Sequence, residues 1–153
     1  MKIVLVHPEI PQNTGSIGRT CVALGVELIL IKPYGFKIDA NTVSRAGTRY
    51  WKFVNLSEYD SWADFMVKRA PSRDQLYFFE EHGRESFYTP DYHSDAYLVF
   101  GRESTGLPPE ILENYADRTY HMPMPSGQVK SLNLSNAATA VVYQAKRAEF
   151  MGS

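Results

Sequence analysis

Three short stretches hold the side chains whose types and spacing could do chemistry. The first, HPEIPQNTGSIGRTC from His7 to Cys21, sets a loop residue, Asn13, ahead of a helical run that carries Arg19. The second, LVFGRESTGLP from Leu98 to Pro108, delivers an apolar strand into a glycine turn containing Glu103 and Gly106. The third, MPMPSGQVKSLNLSNAATAVVY from Met122 to Tyr143, passes from a strand end through a loop punctuated by Pro123, Pro125 and Gly127 into a helix. Ser131, Asn133, Ser135 and Asn136 crowd the start of that helix, and all four are capping residue types. Such a junction turns backbone N–H groups outward, where a ligand can meet them. Glycines allow either positive φ or close approach of the backbone to a ligand. Taken singly, each stretch has an ordinary explanation: Asn13 as a cap or turn residue, Arg19 as a solvated helix arginine, the glycines as a strand-to-helix turn. The second stretch lacks both the G-x-G-x-x-G order of a dinucleotide fingerprint and the lysine of a P-loop. His7, His82, His93 and His121 show no ligand spacing and no Cys/His cluster suits zinc, so no metal is expected.

The elements that must position these residues follow from hydrophobic pattern. Lys2 to His7 is an apolar run of strand length, interrupted by Pro8, Pro11 and Gly15 before helical spacing begins at Ile17, Cys21 and Leu24. Glu27 to Ile31 is a second strand, stopped by Pro33 and Gly35. Asn41 to Ala46 has the composition of a brief helix closed by Gly47, and the aromatic segment Tyr50 to Val54 that of a strand. Ser57 is placed to cap a helix through Lys68 and Arg69. Leu76 to Phe79 and Tyr97 to Phe100 are buried-type strands. Pro108 suits the first turn of a helix through Tyr115, Thr119 to Met122 is strand-like, and a last helix runs from near Leu132 to near Glu149. Strands that are apolar throughout and alternate with helices predict an α/β domain, a mainly parallel sheet with helices on both faces. Loops after the strand C-termini are then the default binding region.

Two helices have two-faced patterns. On the last, Leu134, Ala137, Ala138, Val141 and Ala145 form a core stripe, while Asn136, Ala140, Tyr143, Arg147 and Phe150 lie opposite. On the first, Ile17, Cys21 and Leu24 face the core, while Gly15, Gly18, Arg19 and Val22 lie opposite, where small residues would admit another backbone. Together these faces predict a homodimer, with Tyr143 either donating a hydrogen bond across the interface or packing within it.

A chain of 153 residues, 44% hydrophobic and 22% charged, is sized for one domain, 1–153. A net charge of -1 excludes indiscriminate nucleic-acid binding, which depends on phosphate neutralisation by Lys and Arg. Any nucleic-acid site must be a local patch. The single Cys21 cannot form an internal disulfide, which fits a cytoplasmic setting. No apolar run reaches membrane-spanning length, so neither an export signal nor a membrane anchor is expected.

The three stretches in this order resemble the SPOUT superfamily of RNA methyltransferases, and most closely its small tRNA 2′-O-ribose methyltransferases that act at the wobble nucleotide, position 34. PEIPQNTGSIGRTC is similar to the first family motif, GRESTGLP to the second, and MPM followed by SLNLSNA to the third. RAGTRYW, Arg45 to Trp51, resembles a further segment of the wobble branch. The resemblance covers essentially the whole chain, which implies no appended RNA-binding domain, and it implies a C-terminal trefoil knot, which general topology rules would argue against. It implies S-adenosylmethionine as methyl donor, contacted by Phe79, Gly101, Met122, Ser131 and Leu132, with Ile111 a further candidate and Glu103 holding either Arg19 or the cofactor amino group. It also implies methylation of the ribose 2′-oxygen of cytidine or a modified uridine in the tRNA anticodon stem-loop. Arg19 would activate that hydroxyl, Asn13 and Asn133 would orient Arg19 or the ribose, Ser131 would border cofactor and substrate, and Tyr143 would act from the outward helix face. A guanidinium that stays protonated has no acceptor, so Arg19 is expected to bind substrate phosphate and stabilise the developing alkoxide at least as much as it removes a proton. Arg45, Arg49 and Lys52, interleaved with Tyr50 and Trp51, suit phosphate contact and base stacking. The rival expectations are a 2′-O-methyltransferase for another tRNA or rRNA site, and a non-catalytic RNA- or nucleotide-binding module.

Overall fold

The structure, a computed structural model, describes residues 1–39 and 49–152. Seven strands, β1 (Lys2–Val6), β2 (Glu27–Ile31), β3 (Leu56–Tyr59), β4 (Leu76–Phe79), β5 (Glu85–Ser86), β6 (Tyr97–Phe100) and β7 (Thr119–His121), form one sheet in the order β3-β2-β1-β6-β4-β7-β5. Every pairing in it is parallel. Among the described residues five helices accompany it: α1 (Pro11–Leu24), α2 (Trp62–Arg69), α3 (Pro109–Asn114), α4 (Leu134–Ala145) and α5 (Arg147–Met151).

The uniformly apolar strands are explained by a core on each face. Ile3, Leu5, Leu28, Leu30, Phe79, Leu98 and Phe100 point to one side, under Ile17 and Cys21 of α1 and Ala138, Val141, Val142 and Ala145 of α4. Val4, Val6, Ile29, Ile31, Phe78 and Val99 point to the other, under Phe65 of α2 and Ile111 of α3. Phe65 is fully buried and meets Tyr59 and Tyr97 edge-on at 5.5 Å, a placement whose transfer from water contributes about 2–3 kcal/mol. The β2–β3 edge is closed by a polar network: Arg69 Nη1 donates to Glu27 Oε1 at 3.0 Å, and Ser57 Oγ donates to Glu27 Oε2 at 2.6 Å.

Several local expectations give way to tertiary context. Helix α1 starts at Pro11, earlier than the Ile17 periodicity indicates, because proline at the first helical position opens a helix as well as it interrupts one. Asn13 therefore lies in its first turn rather than in a loop. Ser57 belongs to β3. The cap of α2 is Ser61, whose Oγ accepts from the Asp64 amide at 3.0 Å. Trp51–Phe53 is a 3-10 turn, not a strand, and Trp51 is packed over α1. A Cβ on Gly18 would lie 2.6 Å from Trp51 Cζ3, so a tryptophan of the same chain covers this part of the small-residue face. The last helix is broken at Lys146 into α4 and α5. The helix expected over Asn41 to Ala46 lies outside the described residues.

Candidate active site

In a fully parallel sheet every strand ends at the same edge, so the loops following β1, β4, β6 and β7 are neighbours. At that edge a cleft of about 340 Å³ opens over the ends of β6, β4 and β7, within the range of roughly 300–1,000 Å³ usual for small-molecule sites. Its apolar walls are Phe79, Phe100, Met122, Met124, Leu132 and Leu134, and Phe79 stacks on Phe100 with ring centroids 4.9 Å apart. Its polar rim carries Glu80, Glu81, Glu103, Arg102, Lys130 and Ser131.

The shape of one wall depends on two glycines. A Cβ on Gly101 would meet the Gly106 carbonyl carbon at 2.1 Å and the Leu107 nitrogen at 2.2 Å. Gly106 has a φ of 73°, in the left-handed region that disfavours side chains. Between them the Gly106 N–H donates to the Arg102 carbonyl at 2.9 Å and the Arg102 N–H to the Gly106 carbonyl at 3.2 Å, closing loop 101–106 on itself. The opposite wall is the descent into α4, whose first turn is capped by Asn133. Its Oδ1 accepts from the Ser135 amide at 2.9 Å and the Asn136 amide at 3.4 Å.

The sheet order reverses direction between β1 and β6, where α/β proteins usually bind ligands. Here that crevice is bridged by protein. Glu103 accepts from the backbone N–H of Glu9 at 2.9 Å, from that of Ile10 at 2.7 Å and from Asn13 Nδ2 at 3.2 Å. Glu9 Oε1 accepts from the Ser104 amide at 2.9 Å and the Ser104 hydroxyl at 2.7 Å, contacts that hold the Glu9 carboxyl below its ordinary range. The open cleft consequently sits one strand over. His7, which ends β1, adopts a φ of 56° while its N–H donates to the Ile31 carbonyl at 3.0 Å, so the turn into α1 begins with backbone strain of about 1–2 kcal/mol.

Of the seven residues expected around a cofactor, Phe79, Gly101, Glu103, Met122, Ser131 and Leu132 line this one cleft. The expected catalytic residues are spread more widely. Ser131 is in the cleft, and Asn133 stands two residues further on, engaged as a cap. Asn13 is buried and bonded to Glu103. Arg19 is exposed on α1, outside the cleft lining, with its guanidinium 5.4 Å from the Tyr50 ring centroid and no hydrogen bond or ion pair among the described residues. Tyr143 is 49% exposed on the outer face of α4, its ring 6.2 Å from that of Phe150. Glu103 holds the start of α1 and makes no hydrogen bond to Arg19. Ile111 is the buried residue of α3, packed on the other face of the sheet, and is not part of the cleft lining. Of the basic cluster, Arg49 and Lys52 are exposed, and Arg45 lies outside the described residues. Glu80 and Glu81 are the lining residues that sequence reasoning passed over. They directly follow the apolar run LYFF, so the end of β4 pointed to them. Among the described residues no group of three or more His, Cys, Asp and Glu side chains could hold a metal ion, and no helix is long and apolar enough to cross a membrane.

Comparison with known proteins gives the same picture along nearly the whole chain. A relative from Bacillus subtilis is 42% identical over 150 residues, covering 96% of this chain and 92% of its own. One from Burkholderia pseudomallei, named tRNA (cytidine(34)-2′-O)-methyltransferase, is 36% identical over 146 residues, 95% of this chain and 93% of its own. A solved structure described as giving insights into the 2-OH methylation of C/U34 on tRNA superimposes with a TM-score of 0.88 at 40% identity, covering 99% of this chain and 97% of that one. The SpoU methyltransferase AviRb from Streptomyces viridochromogenes, in complex with the cofactor AdoMet, superimposes with a TM-score of 0.82 at 27% identity, covering all of this chain and 59% of that one. The pattern of the SpoU rRNA Methylase family matches residues 1–143, which include every wall of the cleft. With its parallel sheet, its glycine-shaped cleft and these relatives, the chain belongs to the SpoU rRNA Methylase family.

Proposed function

We propose that this chain transfers a methyl group from S-adenosylmethionine to the ribose 2′-oxygen of nucleotide 34, cytidine or a modified uridine, in the anticodon stem-loop of tRNA. The observation that carries the reading is the cleft at the strand C-termini, where six of the seven residues that the motifs suggest as cofactor contacts converge, in a member of a methyltransferase family. The naming of the Burkholderia relative and the subject of the 40%-identical structure support nucleotide 34 as the target. The AdoMet bound to AviRb supports the donor.

The cleft suits that donor on its own chemistry. Met122 and Leu132 offer apolar surface to an adenine ring, and Gly101 lets loop 101–106 close tightly on its own backbone to shape the facing wall. Glu80 and Glu81 supply negative charge for a cationic ligand. When bound, S-adenosylmethionine supplies a methyl on a sulfonium, which departs as a neutral thioether. The chain's own task is to align the ribose oxygen in line with that methyl and to ease loss of its proton. Ser131, at the cleft wall, is placed to touch both partners. Arg19, with its guanidinium held beside Tyr50 and unspent on the described residues, binds substrate phosphate and stabilises the developing alkoxide. Arg49 and Lys52 extend the positive surface toward the RNA backbone, and Arg45 is assigned to the same patch.

The working unit is a cytoplasmic homodimer. Asn136, Ala140, Tyr143, Arg147 and Phe150 are all exposed along α4 and α5, and Met151 beside them is 69% exposed, a mixed strip whose aromatic, methionine and arginine side chains suit contact with a second copy. The segment from Met122 to Asn133, which leaves β7 inside the sheet and returns to place α4 against α1, is the one assigned to the trefoil knot. Incubation with labelled S-adenosylmethionine and unmodified or native tRNA, followed by nucleoside mapping, tests the activity. Label on a base, or on a ribose other than that of nucleotide 34, contradicts the reading. Arg19→Ala is expected to lower turnover about 100-fold or more while leaving donor affinity unchanged, because Arg19 does not line the cleft. A monomeric mass by light scattering removes the dimer.

A further inference from the structure

Helix α1 opens without a cap of its own. Its N-cap is Ile10, which makes no side-chain cap bond, and its first turn contains no acidic residue. A helix start leaves N–H groups unpaired and is the positive end of the helix dipole, so it calls for an acceptor. Glu103 provides it from 93 residues away, accepting from the Ile10 amide, the Glu9 amide and Asn13 Nδ2. Glu9 reciprocates by accepting from both the amide and the hydroxyl of Ser104. Loop 101–106 thus serves two neighbours: it forms a wall of the cleft, and through Glu103 and Ser104, which also line that wall, it caps the helix that carries Asn13 and Arg19.

We propose that Glu9 and Ser104 are positioning residues for methyl transfer, acting through this clasp so that occupation of the cleft sets the first turns of α1. The proposal rests on the methyltransferase reading of the same cleft. Loop 101–106 is tied across by the Arg102–Gly106 bridge, so it responds to a ligand as one piece. Any displacement of that piece must either carry the start of α1 with it or break bonds made by two carboxylates. Asn13 sits in the first turn and Arg19 six residues further on, about 9 Å along the same rigid helix, so the guanidinium moves with the cap. Glu9 itself is exposed and does not line the cleft, so its role is exerted through Ser104 and α1 rather than on substrate.

The test uses the full chain and its Glu9→Ala, Ser104→Ala and Glu9→Gln variants. Amide hydrogen exchange of residues 9–14 is measured with and without saturating S-adenosylmethionine, together with kcat and the KM for tRNA. In the wild-type protein the donor is expected to slow exchange at residues 9–14. In Glu9→Ala and Ser104→Ala that response disappears while the central strands keep their protection. Their kcat falls about three- to tenfold, the scale of a solvent-exposed charged hydrogen bond, with KM for tRNA little changed. Glu9→Gln retains a carbonyl oxygen for the Ser104 amide and recovers most of both effects. If wild-type protein shows no calorimetric binding of S-adenosylmethionine, the activity reading falls and this proposal with it. If it binds the donor but exchange at residues 9–14 is unaltered, or if the Ala variants keep the wild-type response and kcat, the clasp alone is refuted.

Discussion

Gly101→Ala adds one methyl group to the wall of the cleft where no side chain can make room for it. The new Cβ would stand 2.1 Å from the Gly106 carbonyl carbon, 2.2 Å from the Leu107 nitrogen and 2.4 Å from the Gly106 oxygen. All three are backbone atoms, so relief requires loop 102–107 to retreat by more than an ångström from its ordinary seat. Forced repacking of this kind costs about 1–3 kcal/mol. The retreat also opens the two Arg102–Gly106 hydrogen bonds, at about 0.5–1.5 kcal/mol each. The sum, roughly 2–6 kcal/mol, is a large part of the stability of about 5–15 kcal/mol typical of a domain, so the variant should fold but unfold early. Urea denaturation is expected to show a clearly lowered midpoint. Titration calorimetry with S-adenosylmethionine should show at least about a tenfold loss of affinity, since 1.4 kcal/mol of loop distortion suffices for that. Gly35→Ala is the control, because a Cβ there has nothing within 4 Å and its φ is not left-handed, and its midpoint should move by about 0.5 kcal/mol or less. A Gly101→Ala protein with wild-type midpoint and affinity would refute the close-approach reasoning, as would an equal loss in Gly35→Ala.

Asn133→Ala removes the acceptor for the Ser135 and Asn136 amides at the start of α4, and should cost about 1 kcal/mol, read as a fall in Tm of about 2–4 °C with weakened donor binding. Glu27 tests the pH dependence. Burial pushes its carboxyl up, but hydrogen bonds from Arg69 and Ser57 outweigh this and hold it below the usual 4.5. A depressed carboxyl adds stability above its unfolded value and loses it as pH falls through the folded one. Wild type should therefore exceed Glu27→Gln in urea midpoint most at neutral pH, with the gap shrinking below pH 4.5, and a gap constant from pH 7 to pH 3 would contradict the ion pair's role. Burial pushes the Cys21 thiol up to about 12, so iodoacetamide at pH 8 should label it only after unfolding, and rapid labelling of the native protein would show that α1 lifts from the sheet.

What the residues disclosed, and what they withheld, follows from range. LILI, LYFF and YLVF read as buried strands because both sides of each are covered, which leaves no polar alternation to misread. Beside them, β3 was obscured: LSEY lies at the sheet edge, and its serine and glutamate imitate a helix start when the real cap, Ser61, comes just beyond. Tyr50 to Val54 has strand composition, but Trp51 finds its partner in Gly18, more than thirty positions earlier, and the segment curls into a turn to reach it. The lining of the cleft was legible through its motifs, down to Phe79 and Met122. The partner of Glu103 was not, because motif spacing says nothing about which loop lies beside which. Only the adjacency of β1 and β6 in the sheet brings that carboxylate to the start of α1.

Helices α1 and α4 lie side by side, with Thr20 Oγ1 and Thr139 Oγ1 2.8 Å apart across 119 positions of sequence. That proximity carries a consequence for the order of synthesis. A growing chain makes β1, α1 and β2 first, yet the second neighbour of β1 is β6 and a major cover of α1 is α4, both made much later. Throughout that interval β1 keeps an open edge and α1 a bare apolar side, the surfaces most prone to wrong association. A ligand in the cleft cannot shelter them, because the last wall of that cleft reaches to Ala137. A ligand of this cleft can therefore steady the finished protein by mass action but cannot guide the unfinished one.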